Sequence, residues 1–327
     1  MTVCKSIFVF IYILGCFDIV HHGFAEEIPS RKSDWPQWRG DHRDGVAHET
    51  GWLAEWSGAG PRELWRKEVG NGFSGISVRE GRAVTMGFNN GKDTVFCLDA
   101  ATGKELWRFE YPSRLYDQSH EGGPSSTPAI DQDSVYALSK TGRFFCLNLA
   151  DGQPRWEHAF ADEIKPTNPS IWHGASTSPL LVGEKVIIDI GTTIAFDRGS
   201  GKILWRSQPY EPAYASPIAF SFNGQRYLAV FNGTGLMILD PENGKEIARS
   251  EWQDSHLQHN VTPIYHDGYF FISDSHGRGC ARIGFDGQKL NLIWESKNMR
   301  NKTATCILWE GHIYGFDQSD LRCVNFK

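Results

Sequence analysis

Positive charge is not in surplus here: 33 Lys and Arg face 39 Asp and Glu, a formal net charge of −6 over 327 residues. With no basic run and no RNA-reading motif, counterion release has nothing to act on, and nucleic acid is set aside as a partner. Long apolar runs are equally scarce. Ile7–Phe17, after Lys5, is too short to span a bilayer, and no second run follows, so no transmembrane segment is expected. No stretch carries a helical period of convincing length, which excludes helical architectures. The chain lacks a Gly-x-Ser-x-Gly elbow, a P-loop and a His-Glu-x-x-His pair, so nothing nominates a hydrolase. It also has no two adjacent cysteines.

What the N-terminus does have is a targeting pattern. Lys5, the apolar stretch and Gly23-Phe24-Ala25 read as a signal peptide over residues 1–25, with the mature chain beginning at Glu26. A rival reading takes Ile13-Leu14-Gly15-Cys16 as a lipobox with Cys16 lipidated. Either reading exports the protein to the periplasm or beyond. Seven cysteines could then form disulfides, but Cys97, Cys146 and Cys323 fall at matching places in successive units, where Ala195, Ile238 and Gly284 stand in the others. A cysteine that alternates with Ala and Ile is read as a small buried apolar side chain.

The dominant feature is a repeat. Asp99-Ala100-Ala101-Thr102-Gly103 leads to Trp107, Asn148–Gly152 to Trp156, and Asp197–Gly201 to Trp205. Asp240–Gly244 repeats the turn with Ala248 in the Trp place, and Asp286-Gly287 is a shortened version with its Trp delayed to Trp294. These units recur at roughly 43–49 residues, the period of propeller blades. Each reads as four short strands, in the second unit Ser126–Ile130, Ser134–Leu138, Arg143–Leu147 and Pro154–His158. Four units open with Ser or Thr before Pro: Thr127-Pro128, Ser178-Pro179, Ser216-Pro217 and Thr262-Pro263. Proline has no amide to give a ladder, so these are strand starts on the innermost edge. The outermost strand carries the Trp, which covers the gap to the next blade. The fold class is therefore all-β, a β-propeller of four-stranded blades over residues 62–327, with an N-terminal extension at 26–61.

Propellers gather function at the loops around the channel mouth. The segments before the inner strands contain Asp117–Glu121, Ile171–Gly174, Tyr210–Tyr214 and His256–Asn260. His120, Trp172, His173, Tyr214, His256, His259 and Asn260 are the candidate rim residues, able to bind a ligand or a partner. The bland alternative is a set of loop side chains bonding their own backbone.

The tryptophan-motif repeats resemble the PQQ-like β-propeller superfamily, which includes quinoprotein alcohol dehydrogenases and BamB of the outer-membrane assembly machine. Asp34-Trp35-Pro36-Gln37-Trp38-Arg39-Gly40 with Arg43-Asp44-Gly45 is similar to the start of exported PQQ-like repeat proteins of planctomycetes, as are Leu64-Trp65, Ala213–Ser216 and Ile313–Asp317. The resemblance implies either a tryptophan-docked scaffold of the envelope or a quinoprotein-like oxidoreductase. Quinoproteins stack PQQ against a pair of adjacent cysteines and hold Ca²⁺ with carboxylate and amide oxygens. The missing Cys-Cys pair argues against PQQ and Ca²⁺, so no cofactor, metal or catalytic residue is assigned, and a binding or scaffold module is the expected function. The resemblance also implies an eight-blade curvature of which about six blades are present, an open, C-terminally truncated arc. The alternative is a closed six-blade ring, in which residues 62–69 would pair with 318–326.

Overall fold

In the computed structural model the described residues are 34–327, apart from 52–54, 57, 59, 116–120, 161, 163, 165–172, 254–255, 257 and 276. The signal segment, Cys16, His120 and Trp172 lie outside them. Among the described residues twenty-three strands form six antiparallel sheets. The first holds Ser77–Arg79 (β1), Arg82–Asn89 (β2), Lys92–Asp99 (β3) and Glu105–Pro112 (β4). The second holds Ala129–Asp131 (β5), Ser134–Leu138 (β6), Arg143–Asn148 (β7) and Pro154–Ala159 (β8). The third runs through Leu180–Val182 (β9), Lys185–Asp189 (β10), Thr193–Asp197 (β11) and Ile203–Arg206 (β12). The fourth has Ile218–Phe222 (β13), Gln225–Asn232 (β14), Gly235–Leu239 (β15) and Glu246–Glu251 (β16). Ile264–His266 (β17), Tyr269–Ser273 (β18), Cys280–Phe285 (β19) and Leu290–Ser296 (β20) make the fifth; Ile307–Trp309 (β21), His312–Asp317 (β22) and Asp320–Asn325 (β23) make a three-stranded sixth.

Every sheet is a meander, and the core lies between consecutive sheets. Val84, Met86, Val95 and Cys97 of the first meet Ile130, Val135, Ala137 and Phe145 of the second. Ile187, Ala195 and Trp205 of the third meet Leu228, Val230 and Met237 of the fourth. The middle strands of the four-stranded sheets are buried on both faces, which is why they read as continuous apolar runs rather than as an alternation, whereas β22 in the three-stranded sheet alternates buried and exposed residues. Cys97, Cys146, Cys280 and Cys306 are buried free thiols inside these layers, whereas Cys323, expected to be buried like Cys97 and Cys146, is exposed on β23, the end strand of the three-stranded sheet.

The outer-strand tryptophans bridge the sheets. Trp107 on β4 donates Nε1–H to the Leu149 carbonyl of the next sheet at 2.9 Å, and Trp205 on β12 donates to Pro241 at 3.0 Å. Each indole lies over the glycine of that sheet's turn. A β-carbon on Gly152 would come within 2.6 Å of Trp107, and one on Gly244 within 2.4 Å of Trp205. These glycines also have φ near +70°, so both the turn and the indole demand a residue without a side chain. Trp65 makes the same contact on the first sheet, donating to the Ala100 carbonyl at 3.0 Å over Gly103. Residues 62–69 nonetheless join no strand, and β23 pairs with β22 alone. The ladder of a closed six-blade ring is not formed among the described residues.

One equivalence in the sequence reading needs correction. Trp294 faces Arg282 across the ladder, as Trp107 faces Cys97 and Trp156 faces Cys146. The place assigned to Gly284 thus belongs to Arg282. The strand β19 runs two residues further before a shortened turn, so counting back from Asp286 shifts the register.

Candidate functional site

The inner strands begin at the Ser/Thr-Pro dipeptides, and the hydroxyls there have a job the proline argument did not reveal. The Gly75 amide donates to Thr127 Oγ1 (2.9 Å), the Thr127 amide to Ser178 Oγ (3.0 Å), and the Ser178 amide to Ser216 Oγ (2.9 Å). Each hydroxyl satisfies a backbone donor of the preceding blade that has no strand partner on the channel side. This relay fixes the spacing of the loops just before it.

Three of the rim candidates sit on those loops and are brought together. Tyr214 Oη accepts the His173 amide at 3.1 Å, and their rings lie 5.9 Å apart. The His259 carbonyl accepts both the Tyr214 and Ala215 amides, at 2.9 and 2.8 Å. The His259 ring is fully buried, stacked 4.0 Å from Phe231, with Nδ1 on the Asn232 carbonyl at 2.6 Å. Burial pushes the Tyr214 hydroxyl up to about 12, so it stays protonated. His173, Tyr214 and His259 thus tie the loops of the third, fourth and fifth sheets together. His256 is exposed, and Asn260 reaches the Lys302 carbonyl at 2.7 Å rather than this cluster.

Behind the relay, the channel is occupied by the chain's own N-terminal segment. Trp35 pairs with Val78, the Pro36 carbonyl accepts the Ile130 amide, and Trp38 Nε1 donates to Thr262 Oγ1. Arg39 donates to the carbonyls of Arg43, Asp44 and Cys306. Arg43 donates to Gln37 Oε1 and to the Ser178 and Pro179 carbonyls. One short segment therefore touches the first, second, third, fifth and sixth sheets. Burial draws the guanidiniums of Arg39 and Arg43 down to about 10 and about 9, with their mutual repulsion adding to the effect on Arg43. The sequence marked Arg39 and Arg43 only through resemblance, because a charge placed in a core leaves no periodic trace.

These residues do not fit a PQQ site. The segment from Trp35 to Gly45 stands among the inner strands, and the cysteines are dispersed through separate layers: Cys97 in the first sheet, Cys146 in the second and Cys280 in the fifth. Among the described residues no three His, Cys, Asp or Glu side chains converge as metal ligands.

Comparison with known proteins follows the architecture. The family described as outer membrane protein assembly factor BamB matches residues 49–118 and 91–322. BamB of Yersinia pestis is 24% identical over 285 residues, covering 80% of this chain and 66% of that protein. The quinohemoprotein alcohol dehydrogenase ADH IIB of Pseudomonas putida is 28% identical over 169 residues, 45% of this chain and 24% of the enzyme. The chain thus spans under two thirds of each. The solved structure of BamB from Moraxella catarrhalis superimposes with a TM-score of 0.55 at 18% identity, over 77% of this chain and 70% of its own. A europium-containing methanol dehydrogenase superimposes at 0.56 with 12% identity, over 77% and 66%. Such identities show a common fold. The matched repeats, the six meander sheets and the Trp-over-Gly contacts agree: the chain belongs to the PQQ-like β-propeller family of outer membrane protein assembly factor BamB.

Proposed function

We propose that this chain is an exported binding or scaffold module of the cell envelope, and that it meets its partner with the loop face carrying His173, Tyr214, His256 and Asn260, supported from beneath by the buried ring of His259. One observation carries the reading: the Tyr214 hydroxyl accepts the His173 amide and the His259 carbonyl accepts the Tyr214 and Ala215 amides, so three successive loops are locked together. A rim ordered in advance spends little conformational entropy on binding. The family membership supports an envelope role, and the Lys5-to-Ala25 pattern supports a periplasmic or secreted location, with Cys16 as the anchor if the lipobox is used. His120 and Trp172 belong to the same pre-strand segments by sequence and complete the proposed rim.

The discriminating experiment is reconstitution of the purified protein with PQQ and Ca²⁺, followed by absorbance and by dye reduction with a primary alcohol. The scaffold reading expects neither stoichiometric uptake nor alcohol-dependent reduction. Uptake with turnover would replace it by a quinoprotein-like oxidoreductase.

A further inference from the structure

The inner strands have two ends, and the opposite one holds a cavity that the rim does not use. Its volume is about 830 Å³, and it is bounded by residues of β1, β5, β9, β13 and β17, by the turns after β5 and β9, and by Pro36, Gln37 and residues 41–44. Leu180, Ile218 and Ile264 give it apolar walls. Its charge is uneven. Asp131 and Glu184 are spent on Arg198, at 2.9 and 3.0 Å. Asp44 accepts the Val46 amide and lies beside Arg39. Asp41 is exposed at the mouth.

Arg43 and Arg79 also line this cavity, and they are differently placed. Arg43 is 5% exposed and Arg79 8%, and the Nε of each is buried with no hydrogen-bond partner. Arg43 is held by carbonyls and an amide oxygen, which orient its guanidinium without cancelling its charge. Arg79 pairs with Arg82 through the β1–β2 ladder, but its side chain has neither a hydrogen bond nor an ion pair to any described residue. A buried, unpaired cation is costly unless an anion completes it. Arginine's fixed fork of donors suits a planar or tetrahedral oxyanion.

We infer that the turn-face cavity binds a small organic oxyanion, a carboxylate or phosphate group held by Arg43 and Arg79 with an apolar body against Leu180, Ile218 and Ile264. The volume lies in the range of small-molecule sites. This site is separate from the loop rim and stands or falls without it.

The test is isothermal titration of the folded protein with inorganic phosphate and, in a parallel arm, with succinate. Saturable one-to-one binding is expected in at least one arm, and which arm responds identifies the oxyanion. Arg79→Gln should weaken it about tenfold, the loss of one charge-assisted contact. The Arg79 side chain bonds nothing described and its backbone pairing does not depend on the guanidinium, so this variant is expected to keep its circular dichroism and melting temperature. Arg108→Gln, an exposed residue paired with Glu105, removes the same charge elsewhere and should leave the affinity unchanged. Absence of saturable binding in both arms, or equal weakening by the two variants, would overturn the assignment.

Discussion

Trp107 lies over Gly152 of the adjacent sheet so closely that a β-carbon there would meet the indole at 2.6 Å, while the indole N–H bonds the Leu149 carbonyl three residues earlier in the same turn. One aromatic ring thereby fixes both the distance and the angle between two blades. Gly152→Ala adds strain at φ +74° to that clash and should lower stability by about 2–4 kcal/mol. Gly224→Ala is the control: its φ of +78° is as strained, yet nothing lies within 4 Å of the added carbon, so about 1 kcal/mol is expected. Chemical denaturation of the pair measures the difference. Equal losses would show that the indole contact contributes nothing.

The hydroxyl relay gives a second expectation. Ser178→Ala leaves the buried Thr127 amide without its acceptor and should cost about 1–3 kcal/mol. Ser178→Thr keeps the oxygen and should recover most of it. If both variants melt alike, the relay is incidental.

Asp189 sets a pH dependence. It is fully buried, bonded to the Gly191 amide and the Tyr210 hydroxyl, and burial raises its carboxyl to about 6 despite those bonds. A folded value above the unfolded one means that folding takes up a proton between about pH 4 and 6. Its favourable contribution is whole below pH 4 and is lost as pH rises through 6, by about 3 kcal/mol. Asp189→Asn should match the native protein near pH 4 and exceed its stability at pH 7–8. A pH-independent difference in unfolding free energy would contradict this.

The axial segment makes a further prediction. Arg39→Ala removes donors to the carbonyls of Arg43, Asp44 and Cys306. Hydrogen exchange at residues 34–46 should accelerate at least tenfold, while β6 and β7, buried on both faces, keep their protection. Uniform acceleration would mean that the segment supports the whole propeller.

Much of this fold was legible because repetition multiplies weak signals. A single turn ending in Gly103 before Trp107 says little, whereas three copies at one offset define a blade, and β6 begins and ends where its apolar run does. The legibility failed where the copies differ. The longer β19 displaced Gly284 from the place that Arg282 holds. Ser178 was noticed for the proline after it, not for its hydroxyl, because the acceptor's partner lies 51 residues away. His173, Tyr214 and His259 were visible as polar loop residues, but their bonds to one another depend on loop paths that no pattern encodes. Arg79 ends a three-residue strand and left no trace at all.

The central claim is that the loop face is the binding face, and site-specific photocrosslinking in the living cell tests it most directly. A photoreactive residue in place of His256, which is exposed on that face, is compared with one in place of Leu292, exposed on the outer strand β20. The account predicts a discrete adduct with an envelope component from position 256 and none from 292. Adducts from 292 alone, or the same adducts from both positions, would contradict it.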